Sequence, residues 1–377
     1  MNIKKFFTNK LIIRKLILII VFVPLIISAC VALGIANDLA FNTYDKNITA
    51  FFANNDDLNQ EVIEQTRQSG NDLAREIVKE GAVLVKNKDN VLPLSKGVDK
   101  VNVFGHSSTD WFASGGGSGA VSSENDTQYN IPMALEKNGV SYNHDLYNFY
   151  RDYRGPVGGN NPVPYENSAT NPSKAENICV LAEPELKDYD EELLKSAKSF
   201  SDTAIMCMSR KAGESEDIPH AQYKYKLDTD FTRGYLTISK EEEDLLNYLV
   251  NNYTDVIVLI NSTNVMQLDF VDEINGIDAC LVCGATGNYG ANGVYDLLYG
   301  LASPSAKLTD TYARKLEYNP SFYHGGYDYI NNYEGAPSDA WPYNRNYKSR
   351  NEKKVFYVDY IEGIYVGYKW FETADKE

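Results

Sequence analysis

The sequence predicts an α/β fold: a mostly parallel sheet sandwiched by helices, preceded by one amino-terminal transmembrane helix. Three observations carry this reading. Short, nearly continuous apolar runs at 203–208, 256–260 and 279–283 have the composition of strands covered on both faces. Segments with helical spacing of apolar residues alternate with them, the order that builds parallel sheets from crossover units. Residues 16–36 contain no charge and are long enough to cross a bilayer as a helix, within which Pro24 is tolerable.

The chain of 377 residues is 43% apolar, enough for a sizeable core. Its formal charge is −16, yet Lys4, Lys5, Lys10, Arg14 and Lys15 all precede the first acid, Asp38. The body is therefore more acidic than the whole, and such a surface repels phosphate backbones, which excludes nucleic acid as a partner. The same five bases leave residues 1–15 as a cytoplasmic tail and place the bulk of the chain outside the cell membrane. The alternative is cleavage at Ile27, Ser28, Ala29 and Cys30, a passable lipoprotein box in which Cys30 carries the lipid.

Taken in order, the polar, Asn-rich stretch 37–71 reads as a stalk, and the sandwich domain is expected over 72–312. Leu73, Ala74, Ile77 and Val78 recur at helical spacing, and Gly81 supplies a stop before a strand at 82–85. A polar turn at 87–90 and a second strand at 101–105 follow. Beyond them lies a glycine-rich loop, 114–119, which lets backbone approach a ligand closely. A short helix at 190–199 feeds the strand at 203–208. Ser239 and Glu242 have capping-box spacing, and Leu245, Leu246, Leu249, Val250 and Tyr253 form the buried stripe of the helix they start. A last helix is expected at 294–299. From 313 to 377 the chain turns to loops crowded with Tyr318, Phe322, Tyr323, Tyr327, Trp341 and other aromatics, which suit either a carbohydrate surface or simple loop packing.

Four cysteines fall in the body, Cys179, Cys207, Cys280 and Cys283, all in apolar runs where buried thiols are the expected state. The spacing of Cys280 and Cys283 resembles a metal or redox pair, but it sits within a strand and has no histidine-rich partner. With four histidines in the chain, no metal site or triad is expected, and no cofactor.

Chemistry is expected where the 203–208 strand empties into Ser209–Asp217, SRKAGESED. Gly213 allows a sharp turn just before Glu214, and Glu216 with Asp217 crowds three acids into four residues, which raises the pKa of one of them. A carboxyl so placed, past the carboxyl end of a strand, is suited to donate a proton near neutral pH. A solvated acidic loop is the plainer alternative. The glycine-rich loop offers a second alternative, a nucleotide phosphate cradle, but no Lys followed by Ser or Thr closes it.

The blocks LAREIVKEGAVLVKNKDNVLPL at 73–94, GGGSGAVS at 115–122, SRKAGESED, PSAKLTDT at 304–311 and YIEGIYVGYKWFET at 360–373 stand in the order found in the second, α/β-sandwich domain of family 3 glycoside hydrolases. The resemblance covers roughly 72–373. It implies retaining hydrolysis of β-glucosides, with a nucleophilic carboxylate and a proton-donating carboxyl about 5–5.5 Å apart. It carries the acid/base onto Glu214, with Glu216 the nearest rival because Ser215 stands where members usually have Gly. It carries sugar contact onto Ser118, beside Gly117. Where members have a Glu-Gly-Gly run, this chain has Gly287 to Gly293, GNYGANG. The family's nucleophile is an Asp on a (β/α)8 barrel of about 250 residues. The resemblance therefore implies a barrel partner from outside this sequence, in a member with the sandwich ahead of the barrel. The competing class is a noncatalytic carbohydrate-binding or structural ectodomain held at the membrane.

Overall fold

A computed structural model describes residues 60–115, 120–121, 127–153, 179–213, 218, 221–320, 322 and 362–374. The expected membrane span at 16–36, Cys30 and most of the stalk lie outside the described residues, as do most of the aromatic loops after residue 322. Among the described residues no helix is long and apolar enough to cross a membrane. The chain divides into two compact units, Met1–Ser69 and Gly70–Glu377. Helix α1 (Gln60–Gly81) begins in the first, and the sheet belongs to the second.

The strands are β1 (Val83–Asn87), β2 (Lys100–Phe104), β3 (Ser141–Tyr142), β4 (Val180–Leu181), β5 (Thr203–Arg210), β6 (Tyr223–Lys224), β7 (Asp255–Ser262) and β8 (Ala279–Val282). Six of them form one sheet in the order β1-β8-β7-β5-β2-β3, and β4 pairs with β6 in a separate ribbon. β8, β7, β5, β2 and β3 run parallel, as the helix–strand alternation predicts. β1 pairs antiparallel with β8, so the sheet is mixed at that edge. β1 also starts and ends later than the 82–85 run, and β5 and β7 extend two residues past their apolar runs into Ser209, Arg210, Asn261 and Ser262.

Strand residues alternate between two cores, which is why the runs are apolar without interruption. On one face Val101, Val103, Ile205, Cys207, Ile257, Leu259 and Leu281 meet Val78 of α1, α2 (Ile131–Lys137) and α7 (Ala291–Leu298). On the other, Ala204, Met206, Met208, Val258, Ile260, Cys280 and Val282 meet α3 (His144–Tyr153), α4 (Glu191–Phe200), α5 (Lys240–Asn252) and α6 (Phe270–Glu273). The capping box of α5 is present in both directions, Ser239 Oγ with the Glu242 amide and the Glu242 carboxylate with the Ser239 amide. Along α5, Leu245, Leu246 and Leu249 are wholly buried, whereas Val250 is only half-buried. Helix α8 (Tyr368–Ala374) closes the described part of the chain.

Cys280 and Cys283 stand three apart on an extended chain, and they enter opposite cores. Strand periodicity alone forbids them a shared ligand. All four cysteines of the body are buried free thiols, and burial pushes Cys280 up to about 12.

In the GNYGANG segment Gly287 serves a φ of 64°, with open space where its Cβ would stand, whereas the other two glycines are owed to packing. A Cβ on Gly290 would meet the Thr286 carbonyl oxygen at 2.2 Å, and one on Gly293 would meet the Arg75 carbonyl oxygen at 2.5 Å. These glycines bring α7 against α1, where Arg75 forks onto Asp296 with bonds of 2.5 and 2.6 Å.

Candidate active site

The five parallel strands end on one edge of the sheet, and the loops after β2, β5, β7 and β8 are stitched together there. β2 is followed by Gly105, whose φ of 89° only glycine adopts readily, and whose Cβ would lie 2.3 Å from the Cys207 carbonyl oxygen. The turn aims the next ten residues across the ends of β5 and β7. Trp111, Phe112 and Ala113 are buried there, and the chain reaches Gly115 at the mouth of the glycine-rich loop. A Cβ on Gly115 would sit 3.9 Å from the Ala212 carbonyl oxygen. The two loops that the sequence singles out, after β2 and after β5, therefore meet. The residues expected to work in them, Gly117, Ser118, Glu214 and the rival Glu216, lie outside the described residues.

The rim that leads to Glu214 is held by buried polar bonds. Arg210, with no exposed surface, forks onto Glu242 with Nη1–Oε1 and Nη2–Oε2 separations of 2.8 and 2.6 Å. Burial works against its charge, and Glu242 more than offsets this, holding the guanidinium above its ordinary pKa. The Lys211 amide donates to Tyr235 Oη at 2.7 Å, and that hydroxyl donates back to the Lys211 carbonyl at 3.1 Å. Lys211 Nζ then reaches across to Asp110 Oδ2 at 2.7 Å, joining the two loops through an ion pair about three-quarters buried.

A second tie lies beneath. Asn261, at the end of β7, has no exposed surface. Its Oδ1 accepts from the Phe112 amide at 2.5 Å and from Ser209 Oγ at 2.8 Å, and its Nδ2 donates to the carbonyls of Phe112 at 2.9 Å and Gly284 at 2.5 Å. The loop after β8 is stitched to the loop after β2 as well: Trp111 Nε1 donates to Thr286 Oγ1 at 2.8 Å and the Gly287 amide to the Ala113 carbonyl at 2.7 Å.

A small hollow beside Ser209 and Lys211 is floored by Glu183. Its two oxygens accept from the His106 amide and from Tyr189 Oη, each at 2.8 Å, and Tyr189 in turn meets Tyr150 Oη at 2.8 Å. Burial pushes the Glu183 carboxyl up to about 8 against the pull of those two bonds. With 7% of its surface exposed and both oxygens engaged, Glu183 is a proton-holding strut and not a group open to a substrate. Between about pH 4.5 and pH 8 the folded chain keeps a proton that the unfolded chain has lost, so stability falls as pH rises through that window, by at most about 1.4 kcal/mol per pH unit. Glu183→Gln is expected to flatten that decline. Thermal midpoints of both proteins at pH 5 and pH 8 measure it, and equal differences for the two would mean that Glu183 titrates at an ordinary value.

Asn261 and Glu183 escape the sequence reading because their bonds reach residues 149 and 77 positions away. The one visible signal for Asn261 is an amide closing an otherwise apolar run. Among the described residues no group of histidine, cysteine and acidic side chains could hold a metal ion.

Comparison with known proteins agrees with this architecture. Beta-glucosidase A of Butyrivibrio fibrisolvens is 28% identical over 313 residues, covering 80% of this chain and 32% of the relative. A beta-glucosidase of Ruminococcus albus is 30% identical over 305 residues, covering 81% of this chain and 26% of the relative. This chain thus spans a third or less of the length of these curated relatives. Among solved structures, a beta-glucosidase from Paenibacillus barengoltzii superposes with a TM-score of 0.57 at 28% identity, over 80% of this chain and 28% of that one. Beta-glucosidase 3B from Thermotoga neapolitana, in complex with glucose, shares the fold with a TM-score of 0.58 at 24% identity, over 82% of this chain and 37% of that one. The family model described as glycosyl hydrolase family 3 C-terminal domain matches residues 82–368, and the chain belongs to that family.

Proposed function

We propose that the chain supplies the acid/base half of a retaining β-glucosidase. Glu214 protonates the departing glycosidic oxygen and then activates water, and an Asp on a (β/α)8 barrel from outside this sequence attacks the anomeric carbon. Ser118 and Gly117 contact the sugar. The segment 16–36 holds the module at the cell membrane with its bulk outside. The observation that carries the reading is the meeting of Gly115 and Ala212 at the carboxyl edge of the sheet, which brings a glycine turn to the loop of the candidate acid. The β-glucosidase names of relatives that extend well beyond this chain support the substrate class and the need for a second domain.

Turnover of an aryl β-glucoside tests it. The purified 377-residue chain alone is expected to be inactive, and the chain joined to its barrel is expected to release β-glucose first, followed by proton NMR before the anomers equilibrate. Hydrolysis by the chain alone, or release of the α anomer, would overturn the proposal.

A further inference from the structure

The four hydrogen bonds of Asn261 use the whole capacity of a side-chain amide, two acceptor sites and two donors, and none is spent within its own strand. Three separate segments converge on it: Phe112 from the loop after β2, Ser209 at the end of β5 and Gly284 after β8. A residue that only had to fill this place would be apolar, like Val256 to Ile260 before it. An aspartate offers no donor to two carbonyls, a serine is too short to span them, and a leucine leaves every partner without its bond inside the protein. Phe112 is held by both its amide and its carbonyl, so the loop toward Gly115 has its height and its angle fixed. Ser209 precedes the rim that carries Lys211 to Gly213.

We infer that Asn261 is a positioning residue, setting the gap between the glycine turn after β2 and the acid loop after β5 and hence the reach of the proton donor to the sugar. This rests on the reading of Glu214 given above. A shift of about 1 Å in such a gap costs on the order of 100-fold in rate without any change in the reacting groups. The loss falls on the proton-dependent step, so it is heavy for glucosides with poor leaving groups and slight for activated ones.

The test has two arms. In the chain itself, amide hydrogen exchange is measured for Ser209→Ala, which severs one of the four bonds, and for Asn261→Asp. Faster exchange at Phe112 and Lys211 together supports the inference, and unchanged exchange at both overturns it whatever the catalytic result. In the chain joined to its barrel, kcat/KM is measured for a poor and an activated aryl glucoside. Ser209→Ala is expected to lose about tenfold on the poor substrate and less than about twofold on the activated one, with KM unchanged. Asn261→Asp is expected to lose more at pH 7 and to recover part of the loss as acidification protonates the new carboxyl and returns a donor. Equal loss on both substrates, or no recovery at low pH, would mean a structural role alone and would overturn the inference. Glu214→Gln in the same enzyme is the control. Equal loss on both substrates there would sink the acid/base reading itself, leaving the exchange measurements to judge Asn261.

Discussion

Glu214→Gln, in the chain joined to its barrel, is expected to lower kcat/KM for an alkyl or unactivated aryl β-glucoside by about 10²–10⁴-fold, the span that a positioned general acid contributes. For a 2,4-dinitrophenyl glucoside the loss in kcat/KM is expected to be less than about tenfold, because that leaving group departs without a proton. The second half of the reaction separates this role from others. The glycosyl-enzyme formed from the activated substrate then waits for a water that nothing deprotonates, so kcat and KM fall together. Azide, which needs no base, is expected to restore kcat and to yield β-glucosyl azide with retained configuration. Glu216→Gln is the companion measurement. The two acids are separated only by Ser215, and whichever substitution shows the leaving-group dependence and the azide rescue is the proton donor. Uniform losses from both, without rescue, would remove Glu214 and Glu216 from the proton-transfer step.

The elements most legible from sequence were those whose causes are local. The run at 203–208 became β5 because alternate side chains enter two different cores, and Ser239 with Glu242 capped α5 because the bonds span three residues. The separation of Cys280 from Cys283 is equally local, a consequence of strand periodicity. What remained hidden depends on partners far along the chain. Nothing near Val83 announces that β1 will run against β8, and Gly290 and Gly293 become intelligible only once α1 lies against α7. The site shows the same division. SRKAGESED and the glycine turn are visible as loops, whereas the bonds that join them pass through Asn261, Tyr235 and Asp110, residues that no motif marks. Extending β5 and β7 past their apolar runs carried the same lesson, since Arg210 and Asn261 are buried polar groups that a hydropathy pattern assigns to a loop.

Replacing Arg210 by methionine is expected to cost about 3–5 kcal/mol of unfolding free energy, the range for breaking one partner of a buried pair. All five guanidinium N–H groups are used: two reach Glu242, and the others reach the carbonyls of Ser209, Tyr235 and Thr237 at 2.6–3.0 Å. Without them the Glu242 carboxylate keeps only its bond from the Ser239 amide, at 2.7 Å, to compensate a charge removed from water. Glu242→Leu alone is expected to be comparably costly, because it strands the guanidinium and also removes half of the capping box of α5. The double variant Arg210→Met, Glu242→Leu should be less damaging than the two singles combined, by about 2–3 kcal/mol of coupling, because neither charge is then left buried alone. Urea unfolding at pH 7 on the four proteins measures the cycle, and strict additivity would show that the fork contributes nothing as a pair. The double variant still takes a donor from three carbonyls, of which that of Thr237 keeps Gln222 Nε2 at 3.2 Å, so it should not return to the stability of the parent. The Ser209 carbonyl lies at the end of β5, and Tyr235 also meets the backbone of Lys211 through its hydroxyl. Amide exchange on the same four proteins separates what stabilises the sheet from what fixes the loop: partial recovery of stability in the double variant with persistently fast exchange at Lys211 assigns the backbone bonds of Arg210, and not its charge, to holding the start of the acid loop in register.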